Sequence, residues 1–107
     1  MSHIEKNTVF SPEGSVQYAD HSVVSREIMR NSAGTLTLFA FAEGQGISEH
    51  SAPFDATVTI LDGEAEITVG GQVHTPKSGE MLIMPANIPH ALFARKPFKM
   101  LLTMIRG

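Results

Sequence analysis

Gly, Pro and Asp turn signals break this chain into short apolar runs, and none of the runs carries the 3.6-residue period of an amphipathic helix. The punctuating segments are Gly44-Gln45-Gly46, Asp62-Gly63, Gly70-Gly71, Lys77-Ser78-Gly79 and Pro85-Ala86-Asn87-Ile88-Pro89. They hold the residues that positive-φ or fixed-φ turns require. The runs between and around them are rich in Val, Ile, Thr, Leu and Phe. They predict strands over residues 23–29, 36–42, 47–50, 56–61, 65–69, 73–75, 81–84, 90–94 and 98–105. Turns at this frequency imply an antiparallel sandwich or barrel.

Alternation is cleanest over residues 64–69, where Glu64, Glu66 and Thr68 oppose Ala65, Ile67 and Val69. One face of that strand is wet and the other packed. Two other segments, Leu36-Thr37-Leu38-Phe39-Ala40-Phe41 and Met100-Leu101-Leu102-Thr103-Met104-Ile105, place apolar groups on both faces. Both faces then need cover, and a second copy of the chain in a homodimer is the first expectation. The alternative cover is the N-terminal segment, residues 2–20, whose own structural signals are weak.

A length of 107 residues suits one domain, read here as residues 1–107 with an arm over 1–20. Eight Lys and Arg against eleven Asp and Glu give a net charge of −3, which offers no basic field to a phosphate backbone. Nucleic acid is therefore not an expected partner. No cysteine is present, so disulfides, thiolate ligands and cysteine nucleophiles are all excluded. The first ten residues lack the apolar run of a signal peptide, and no stretch approaches the roughly 20 apolar residues of a membrane span. A cytoplasmic location is the expectation. No Ser-His-Asp signature, phosphate loop or dinucleotide fingerprint occurs.

Between Gly44 and Ala94 the chain resembles the cupin family. The first motif of that family runs Gly, five residues, His, one residue, His, three or four residues, Glu, six residues, Gly. Gly44, His50 and Gly63 match it, while Ala52 stands at the second histidine and Ala56 at the glutamate. The second motif runs Gly, five residues, Pro, one residue, Gly, two residues, His, three residues, Asn. Gly79, Pro85 and His90 match it, with Asn87 at the middle glycine and Ala94 at the final asparagine. The resemblance implies an all-β fold, the RmlC-like double-stranded β-helix or jelly-roll barrel. It leaves activity open, since cupins include dioxygenases, isomerases, epimerases, storage proteins and sensors.

With that layout, His50, Ala52, Ala56, Val58, His90 and Leu92 face one pocket. His50 and His90 are the candidate metal ligands, for a divalent transition metal that neutral imidazole suits. Two of the four family ligands are missing, and Asp55 is the nearest carboxylate that a bulge would turn inward. Simple parity points Asp55 and Glu49 away. His74 is a weaker candidate near a hairpin end, and His3 and His21 lie in the arm. Phe39, Phe41, Phe93, Met81, Met84, Met100 and Met104 read as core or interface filling. The leading functional expectation is a barrel that binds or senses a small molecule. Its alternatives are a metal-dependent enzyme of the dioxygenase or isomerase type, and a structural dimer without ligand.

Overall fold

The computed structural model describes residues 3–106. A 3-10 turn, Glu13–Ser15, precedes nine strands: β1 (Val23–Asn31), β2 (Gly34–Phe41), β3 (Gly46–His50), β4 (Ala56–Asp62), β5 (Glu66–Val69), β6 (Gln72–His74), β7 (Met81–Met84), β8 (His90–Phe93) and β9 (Phe98–Ile105). They form two antiparallel sheets, one ordered β1-β2-β9-β4-β7 and the other β3-β8-β5-β6. This is the double-stranded β-helix. The runs at 81–84 and 98–105 are strands over the residues expected, whereas β1 continues past Met29 to Asn31 because a bulge between Glu27 and Met29 re-registers it on β2.

The inward faces of the two sheets make one core. Phe41, Val58, Ile60, Phe98 and Met100 come from the larger sheet, and Ile67 and Leu92 from the smaller. Phe41 and Phe98 are register partners on β2 and β9, and their rings stack 4.5 Å apart at 10°. Gly63, at φ 75°, closes the turn after β4 against the Pro97 carbonyl oxygen, where an added Cβ would collide with backbone. Only glycine meets both conditions.

Outside the larger sheet a second cluster forms. Val16 from the N-terminal segment packs on Leu38 and Ala40 of β2, with Ile4, Val24, Ile28, Leu61 and Leu101 around them. Polar contacts tie the segment down. Arg26 Nη1 donates to the Ser15 carbonyl at 2.9 Å, Lys99 Nζ to the Glu13 carbonyl at 2.8 Å, and the Tyr18 hydroxyl to Asp62 Oδ2 at 2.6 Å. The alternative cover, the chain's own N-terminal segment, is the one that packs over Leu38, Ala40 and Leu101. No helix among the described residues is long and apolar enough to cross a membrane.

Candidate functional site

His50 ends β3 and His90 opens β8, and the two are direct register partners in the smaller sheet. Their rings lie 4.4 Å apart between centroids, edge to face at 70°. Between Ile47 and His50, β3 carries one residue more than β8 does between Leu92 and His90, a bulge that turns both Ile47 and His50 toward the interior.

The loop before His90 is pinned from the other side of the chain. Asn87 adopts φ 65°, the left-handed conformation that asparagine tolerates better than most residues, which explains how it replaces the family's glycine. Its amide donates to the Ala52 carbonyl at 2.7 Å, and the Ala86 amide donates to Asp55 Oδ1 at 2.8 Å. Asp55 therefore holds the loop instead of turning inward as a ligand. It lies on the barrel's outside, in an open groove with Phe54, Thr103 and Arg106.

Each histidine is oriented by a backbone carbonyl two residues before it. His50 Nδ1 lies 2.9 Å from the Ser48 oxygen and His90 Nδ1 lies 3.2 Å from the Ile88 oxygen. A carbonyl only accepts, so each Nδ1 carries the proton, and in the neutral ring Nε2 keeps its lone pair. Burial pushes the His90 imidazole below its ordinary value of 6.5; the Ile88 carbonyl opposes this and the neighbouring His50 adds to it. His90 is only 6% exposed, whereas His50 sits at the exposed mouth.

A cavity of about 60 Å³ lies behind the pair. Of the six expected pocket residues, His50, Ala52, Ala56, His90 and Leu92 line it. Val58 is the exception, because it is sealed in the adjoining core with no exposed surface. Ile47, Met84, Met100, Leu102 and Met104 line the cavity as well, although the sequence assigned the three methionines only to filling. Strand parity along β9 signals Met100, Leu102 and Met104 together, but Met84 is found only once β7 is registered on β4. His74 pairs with Ile67 on β5 and does not line the cavity, while His3 and His21 are exposed in the arm.

The metal that the family resemblance implies does not fit these residues. Among the described residues no group of three or more His, Cys, Asp or Glu is placed to hold an ion. Ala52 and Ala56 supply no donor atom, and Asp55 is engaged elsewhere.

Comparison with known proteins accords with this architecture. The family model for the cupin domain, Cupin_2, matches residues 37–105. Among solved structures, a conserved protein of unknown function from Streptococcus pyogenes, SPY1581, is 37% identical over 100% of this chain and 96% of its own, with a TM-score of 0.92. A cupin 2 conserved barrel domain protein from Leptotrichia buccalis is also 37% identical, over 88% of this chain but only 46% of its own length, with a TM-score of 0.85. A cupin superfamily protein from Desulfitobacterium hafniense, DSY2733, is 25% identical over 99% of this chain and 97% of its own, with a TM-score of 0.91. No curated protein matches the chain. The double-stranded β-helix and its paired motifs thus define a cupin barrel. The chain belongs to the Cupin_2 family.

Proposed function

We propose that this cupin binds a small guest between His50 and His90, in a cavity otherwise lined by apolar side chains. The observation that carries the reading is the convergence of two oriented imidazoles on one apolar-walled space. Pockets for drug-sized ligands run to roughly 300–1,000 Å³. A space of about 60 Å³ takes a few heavy atoms, or the tip of a larger molecule that enters past the exposed His50. The test is a titration of protein carrying 13C in its methionine methyls with imidazole, acetate and formate. Shifts at Met84, Met100 and Met104 that vanish in His50→Ala support the reading. Silence of all three methyls toward every probe overturns it.

The same reading has the protein work as a homodimer through the part of the outer face that the arm leaves bare. Met29, Leu36, Thr103, Thr57 and Ile83 are consecutive register partners across all five strands of the larger sheet. Ile83 at that row's end is 64% exposed, with Met81 and Ile105 nearby at 61% and 63%. No charge interrupts the row, so a second copy meets it without the repulsion that two chains of net charge −3 otherwise bring.

A further inference from the structure

The N-terminal segment turns the outer face of the larger sheet into a step. It packs over Leu38, Ala40 and Leu101, and it leaves bare Leu36, Thr103 and Thr57, which lie toward the other ends of β2, β9 and β4. One half of the face is raised by the segment and the other is recessed. A twofold axis along the strands would set raised half against raised half and hold the recessed halves apart. An axis across the strands sets each raised half into the partner's recess, so that arrangement closes the face.

The chemistry of the two halves is complementary. The segment keeps apolar groups in solvent, with Val9 fully exposed and Phe10 and Tyr18 partly so, and its carboxylates Glu13 and Asp20 are exposed beside them. The recess offers Ile83, Ile105 and a groove of about 740 Å³, where the Arg106 guanidinium lies over the Phe54 ring, 5.5 Å from its centroid. Among the described residues no carboxylate forms an ion pair with Arg106. Acid on the raised half thus matches base in the recess. The middle strand of the sheet fixes the register of that match. Lys99 near the start of β9 holds the Glu13 carbonyl, and Arg106 follows its last residue. An axis over the centre of β9 exchanges these two ends, which brings Glu13 to the partner's Arg106.

We infer that in the homodimer each N-terminal segment seats in the partner's recess, with Glu13 paired to the partner's Arg106. This rests on the reading of the bare face as a homodimer interface and names the segment that fills it.

The test measures dimer dissociation of the full chain by sedimentation over a dilution series. Glu13→Arg and Arg106→Glu are each expected to weaken the dimer at least about tenfold, and the combined Glu13→Arg/Arg106→Glu variant to restore it, as close charge pairs across interfaces couple on that scale. Glu13 holds Lys99 through its carbonyl, so a new side chain leaves that bond in place. The chain has no cysteine, which makes oxidation of a Glu13→Cys/Arg106→Cys variant a second probe. From Lys99 to Arg106 the strand runs about 23 Å at roughly 3.3 Å per residue, too far for a disulfide within one chain. A covalent dimer in the paired variant, and none in either single-cysteine variant, is expected. A dimer that both charge reversals leave unchanged, that the combined variant fails to restore, or that Glu13→Cys alone cross-links overturns the inference and leaves the homodimer standing. A monomer in the unmodified protein removes both.

Discussion

Single residues in this barrel carry consequences that their type alone does not reveal. Thr35 is buried on β2 and its hydroxyl finds no hydrogen-bond partner among the described residues, although an unsatisfied buried polar group is costly. Thr35→Val is expected to raise stability by about 1 kcal/mol in urea unfolding. His90 acts through its proton. Its folded-state affinity for the proton is lowered, so below 6.5 the unfolded chain binds more protons than the folded one. The stability His90 permits is fully present above 6.5 and drains away as pH falls toward its lowered folded value. A urea midpoint that drops between pH 7.5 and pH 5, with the drop reduced in His90→Gln, is the expected outcome. Asp55 marks the limit of what the sequence discloses at this scale. Parity points it away from the pocket, but its bond to the Ala86 amide crosses 31 residues, and only the folded loop shows it.

At the scale of elements, most of the sheet was legible because each strand is bounded by its own turn chemistry. The strands over 81–84 and 98–105 were readable to the residue, and His50 with His90 could be paired through the motifs that frame them. What stayed hidden were the bulges. A bulge reverses parity without leaving a composition signal, and the one in β3 brings Ile47 onto the face of His50 against simple alternation. The methionines were under-read for a related reason, since Met84 and Met104 become neighbours of Ala56 only through two separate strand pairings. The N-terminal segment gave weak signals because it is held largely by its own backbone carbonyls, by the Tyr18 hydroxyl on Asp62 and by one fully buried apolar anchor. That anchor is Val16, 1% exposed. Val16→Ala is expected to cost about 2 kcal/mol in thermal or urea unfolding, the scale of a truncated core side chain, despite lying outside every strand.

For the whole molecule, the proposed homodimer makes a prediction that leaves the cavity untouched. Light scattering at micromolar concentration is expected to give twice the chain mass, and Ile83→Arg, which places a charge at the end of the bare apolar row, to give one. A monomer in the unmodified protein sinks the interface. Chain order imposes a further demand on the fold. β9 is the last of the nine described strands in chain order, yet it stands at the centre of the larger sheet with β2 on one side and β4 on the other. Until β9 has been synthesised, those two strands have no mate between them. The emerging polypeptide consequently waits, edges bare and open to chaperones, until β9 is clear of the ribosome.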